Sequence, residues 1–106
     1  MLPWLEPGPK FYYLHLVPKK GILLDDDGLV KQLNRAVNWI GIPPYTWILY
    51  SSASADDLYQ RFKKYVQPNG NLFICELDVT PGHRAGWMGK KFWNWLEKCL
   101  ERSKTT

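Results

Sequence analysis

A chain of 106 residues and 12.4 kDa has room for one hydrophobic core, which excludes two independent domains. Hydrophobic residues at 45% and aromatic residues at 15% exclude a disordered chain, and no apolar run approaches the ~18 residues of a membrane span. Lys and Arg number 14 against 10 Asp and Glu, a net charge of +4 that suits a polyanionic partner without requiring one.

Residues 1–10 hold three prolines, Trp4 and Glu6, so they read as an irregular arm and not as a signal peptide. Residues 11–17, Phe-Tyr-Tyr-Leu-His-Leu-Val before Pro18, form a continuous apolar run that predicts a strand buried on both faces. Asp25, Asp26 and Asp27 then precede Leu29, Leu33, Val37 and Ile40 at helical spacing, predicting a first helix over about residues 27–40 that stops at Gly41. A further short strand fits either residues 39–44 or residues 22–24. Residues 45–51 are aromatic and β-branched and predict a second long strand.

Ser54-Ala55-Asp56-Asp57 has the spacing of a helix cap and opens a second helix with Leu58, Phe62, Tyr65 and Val66 on one face. Residues 71–78 supply another strand, residues 81–86 a loop, and residues 87–102 a third helix with Phe92, Trp93, Leu96, Cys99 and Leu100 inward. The chain therefore reads as an arm over residues 1–10, one domain over residues 11–102 and a polar tail over residues 103–106. The order strand, helix, strand, helix, strand, helix predicts a two-layer α/β (α+β) sandwich, which right-handed crossovers and an antiparallel partner strand would make ferredoxin-like.

Three stretches carry a resemblance: the first strand running into Pro18-Lys19-Lys20-Gly21; Tyr45-Thr46-Trp47-Ile48-Leu49 followed by Ser54-Ala55-Asp56-Asp57-Leu58; and Ala85-Gly86-Trp87-Met88 with Trp93-Asn94-Trp95-Leu96. Over about residues 11–97 the chain resembles the SinR-like family, a distant branch of the CRISPR-associated protein 2 endoribonuclease superfamily. The resemblance implies a ferredoxin-like βαββαβ fold, a homodimer formed through the sheet edge or the C-terminal segment, and a bacterial or phage defence setting. It also implies an Asp near the end of the first strand, where the nuclease relatives hold a divalent metal between two subunits. Here Leu16 or Val17 takes that place, and neither offers the oxygen a hard cation needs. No cofactor and no metal are expected.

His15, near that position, has the chemistry of a general base but reads as a strand histidine, and Asp25–Asp27 reads as a helix start before a cation site. Glu76 and Asp78, two apart on a strand, share a face that suits either an acid–base pair or salt bridges to a neighbouring helix. Cys75 and Cys99 lack metal-knuckle spacing and read as reduced core thiols of a cytoplasmic protein. Charge is uneven: residues 1–60 hold five basic and six acidic side chains, residues 61–106 nine basic and four acidic. Arg61, Lys63, Lys64, His83, Arg84, Lys90 and Lys91 are therefore the candidate contacts to RNA or DNA. Among six tryptophans, Trp4 and Trp95 are the candidate interface residues, Trp95 because ~100° per residue turns it about 200° from Trp93 around the helix.

The expectation is thus a non-catalytic, dimeric binding module that engages a protein or nucleic acid and no membrane. A metal-dependent endoribonuclease with a displaced site is the alternative, and an inhibitor that occludes a nucleoprotein surface is a further one.

Overall fold

The computed structural model describes residues 8–20 and 26–104. Trp4, the arm as far as residue 7, Asp25 and the alternative strand at residues 22–24 lie outside the described residues. The elements run β1 (Lys10–Val17), α1 (Asp26–Leu33), β2 (Asn38–Ile42), β3 (Thr46–Ser51), α2 (Ala55–Phe62) with a following 3-10 turn (Lys63–Tyr65), β4 (Asn71–Leu77) and α3 (Lys90–Lys104). The strands form one four-stranded antiparallel sheet in the order β2-β3-β1-β4. Among the described residues no helix is long and apolar enough to cross a membrane.

Strand alternation sorts β1 into two faces. Tyr12, Leu14 and Leu16 join Leu49 of β3 against Leu29 and Leu33 of α1, Leu58 and Phe62 of α2, and Val66. Phe11, Ile48 and Tyr50 look the other way, against Leu96 and Cys99 of α3 and Val79. Helix α3 therefore makes a third layer over the face opposite α1 and α2, where two layers were expected. Phe11 requires this, because its ring would otherwise stand in water.

The first helix ends at Leu33, seven residues short of the expected stop. Asn34 still donates to the Val30 carbonyl at 2.8 Å, but Val37 donates to the Tyr50 carbonyl at 2.9 Å and so leads into β2. Trp39-Ile40-Gly41-Ile42 satisfies both periods, and pairing with Trp47, Ile48 and Leu49 of β3 wins by placing Ile40 and Ile42 beneath α3 and Trp39 beside α1. Trp39 is fixed there by its indole N–H, which donates to Asn34 Oδ1 at 2.9 Å. Helix α2 opens as its cap predicts, with Ser54 Oγ accepting from the Asp57 amide at 3.1 Å.

Helix α3 corrects the placement of Trp95. It packs on the sheet and buries an arc about 160° wide that takes in Leu96 and Cys99, so Trp93 and Trp95 form the two margins of one buried face. Trp95 meets the Phe11 ring edge-on at 6.3 Å and donates its indole N–H to Asn38 Oδ1 at 3.0 Å. Cys99 is buried as expected, which pushes its thiol pKa up. Cys75 is exposed instead, because the α3 cluster reaches β4 at Leu77 and not as far along the strand as Cys75.

Candidate nucleic-acid interface

The segment joining β4 to α3, residues 78–89, collects the polar candidates of the C-terminal half. It begins with a turn organised by Asp78, whose Oδ1 accepts from the Thr80 amide at 3.1 Å and from the Thr80 hydroxyl. Those two hydrogen bonds, hydroxyl first, hold the Asp78 carboxyl below the usual aspartate range, with His83 assisting. His83 Nδ1 stands 3.6 Å from Asp78 Oδ2, and its amide donates to the Thr80 carbonyl at 3.0 Å. Gly82 takes a positive φ of 95° within this turn, a conformation that disfavours a side chain.

Arg84 then crosses back over α3. Its Nη2 donates to Glu97 Oε1 at 2.7 Å, and the guanidinium carbon lies 5.6 Å from the centre of the Trp93 ring. Its Nη1 is sealed from solvent and has no hydrogen-bond partner. Beside it lies a cavity of about 360 Å³ walled by Leu77, Val79, Met88, Phe92 and Trp93, with Asp78, His83 and Arg84 as its polar part. A second hollow, about 510 Å³, opens across Met88 and Phe92 between Trp39, Lys91 and Trp95.

The chain turns into α3 through Trp87, which is 98% exposed and whose neighbour Met88 lines both hollows. Lys90 and Lys91 follow at the helix start, both exposed and without an ion pair among the described residues. An indole without protein contacts and two solvated ammonium groups lie within five residues of chain. Proximity along the chain to breakers and lysines was visible in the sequence, but the isolation of Trp87 was not, since it could equally have opened the helix.

The other candidates lie elsewhere. Arg61 in the last turn of α2, and Lys63 and Lys64 just after it, lie on the opposite side of the sheet from α3, so the structure does not join them to Lys90 and Lys91. Burial, then the charge of Arg35, lowers the Arg61 pKa, and Lys64 Nζ sits 5.3 Å from the centre of the Tyr65 ring. Glu76 faces the α1 and α2 side and meets Lys10 at 3.3 Å, whereas Asp78 lies past the strand in its own turn. The two carboxylates therefore have separate partners. Tyr12, paired with Glu76 in register, has its phenol pKa raised by burial and then by that carboxylate. His15 lies between Thr46 and Phe73 on the open part of the sheet. Tyr13 and Phe73 pack edge-to-face there at 6.2 Å, Phe73 remaining 60% exposed. Among the described residues no three His, Cys, Asp or Glu side chains converge as a metal site requires.

Comparison with protein-family models, with curated proteins and with solved structures finds no match for the chain.

Proposed function

We propose that this protein is a ferredoxin-like binding module, related to the SinR-like branch, that engages single-stranded nucleic acid through residues 83–91 and works as a homodimer in a cytoplasmic defence system. The element order and the sheet order β2-β3-β1-β4 support the fold assignment. The defence setting and the dimer rest on the sequence resemblance. One observation carries the binding reading: Trp87 presents its ring to solvent beside Lys90 and Lys91. Single-strand binders combine such a ring, which stacks on any base, with cations that follow the phosphates. A bare indole serves no core, since it leaves apolar area in water.

The test is fluorescence anisotropy with labelled single-stranded RNA and DNA over a salt series. Affinity should fall steeply as salt rises, because each lysine–phosphate contact releases counterions. Trp87→Ala should weaken binding about tenfold, the scale of one lost base stack. Failure of the wild-type protein to bind either strand at about 50 mM salt, where phosphate contacts are strongest, removes the proposal.

A further inference from the structure

We infer that the cavity beside Arg84 is a base-recognition pocket that accepts one guanine from the bound strand. This inference rests on the nucleic-acid reading and assigns it a specificity. Gly86 and Met88, the chain neighbours of Trp87, both line the cavity, so a strand stacked on that indole runs close to it.

The electrostatics favour a neutral ligand. Arg84 is already paired with Glu97, and Asp78 adds a second carboxylate at the rim, so a phosphate or carboxylate entering the pocket would meet little net positive charge. The chemistry on offer is the unused Nη1 amino group of Arg84 and a carboxylate acceptor, set against apolar and aromatic walls. Nη1 of Arg84 is already stripped of water and lacks an acceptor. A ligand oxygen or ring nitrogen that reaches it, with a small displacement of the loop at residues 82–86, makes a hydrogen bond without first removing water from the donor. Asp78 Oδ1 is occupied by Thr80, while Oδ2 has only His83 at 3.6 Å and retains capacity to accept.

Guanine matches this pair among the four bases. Its O6 and N7 are acceptors of the kind an arginine reads, and its remaining Watson–Crick edge presents N–H donors suited to a carboxylate. Adenine places an amino donor where Arg84 also donates, and the pyrimidines lack the N7 acceptor. Phe92 and Trp93, packed edge-to-face at 5.2 Å, supply rings against which a purine can lie.

The experiment compares ten-nucleotide uridine RNAs that carry a single central G, A, C or U, by anisotropy at one fixed salt concentration. The central-G strand should bind about tenfold more tightly than the all-uridine strand, the effect of one well-made arginine–guanine contact. Arg84→Lys, which keeps the charge but loses the planar fork, should bring that ratio to about one. Circular dichroism checks that this variant folds, and Asp78→Asn, which leaves one acceptor oxygen in place of two, should independently reduce the ratio several-fold. Equal affinity for all four strands overturns the pocket and leaves the single-strand reading standing. A preference for A or C, or a G preference that survives both substitutions, also overturns it. Absence of binding to every strand overturns both.

Discussion

Replacing Trp95 with alanine tests the packing of α3, and its magnitude follows from the placement of the ring. A tryptophan side chain offers about 150–250 Å² for burial, and the half-buried indole of Trp95 covers most of the lower figure against Phe11 and the β2 edge. At about 25 cal/mol per Å² this is about 3 kcal/mol. The edge-to-face contact with Phe11 adds about 0.5 kcal/mol, and the bond to Asn38, near the surface, a similar amount. Partial collapse of neighbouring side chains into the gap offsets part of this, leaving a destabilisation of about 3 kcal/mol for Trp95→Ala. Trp95→Phe, which keeps a ring but loses the N–H donated to Asn38, should cost about 1 kcal/mol. Urea unfolding followed by far-ultraviolet circular dichroism measures both without relying on the deleted fluorophore. A Trp95→Ala protein within 0.5 kcal/mol of wild type whose self-association is weakened would refute this packing and return Trp95 to an interface between subunits.

Lys90→Glu combined with Lys91→Glu should weaken RNA and DNA binding on every sequence alike and reduce the slope of log affinity against log salt by about two, because phosphate contacts carry no base information. Gly70→Ala should destabilise by about 3 kcal/mol in thermal or urea unfolding, since a Cβ there meets the Val17 carbonyl oxygen and stands 2.9 Å from the Lys19 amide. The Asp78 carboxyl is depressed in the folded protein, so its contribution to stability is present above the usual aspartate range and is lost as pH falls through its folded value; Asp78→Asn should flatten that acid limb of a stability–pH curve. Incubation of the purified protein with RNA or DNA and Mg²⁺ or Mn²⁺ should leave the strands intact, as Leu16 and Val17 offer no metal ligand; cleavage abolished by Glu76→Ala or Asp78→Ala would establish the nuclease alternative.

Much of the fold was legible because single elements carried redundant signals. Ser54 caps α2 at the expected residue, and the aromatic runs of β1 and β3 allowed no other reading. Legibility failed where one segment satisfied two periods. Val37 and Ile40 continue the helical stripe of Leu29 and Leu33, and only the partner strand β3, distant in sequence from α1, converts residues 38–42 into β2. Trp95 was misplaced for a related reason. Angular arithmetic gives positions around an axis, but the width of the buried arc depends on the surface beneath, and a sheet with Phe11 and Ile40 on its outer face buries far more than a narrow stripe. Cys75 shows the limit in reverse, since an apolar neighbourhood in sequence does not reveal that the α3 cluster takes in Leu77 of β4 but not Cys75.

The charge asymmetry of the C-terminal half was real but did not amount to one surface. Arg61, Lys63 and Lys64 lie on the α2 layer, and Lys90 and Lys91 on the α3 layer, with the sheet between them. A short single strand reaches only one of these groups at a time, and the Debye length of about 8 Å at physiological salt prevents either from acting strongly across the protein. Only the α3 group has a bare ring beside it, so the local pairing of Trp87 with lysines, more than the net charge of +4, selects the binding face. Charge reversal at Lys63 and Lys64 should therefore leave most of the short-strand affinity in place, whereas the same reversal at Lys90 and Lys91 should remove it. Equal losses from the two pairs would show that the strand follows the total field of the protein and that Trp87 does not define the site.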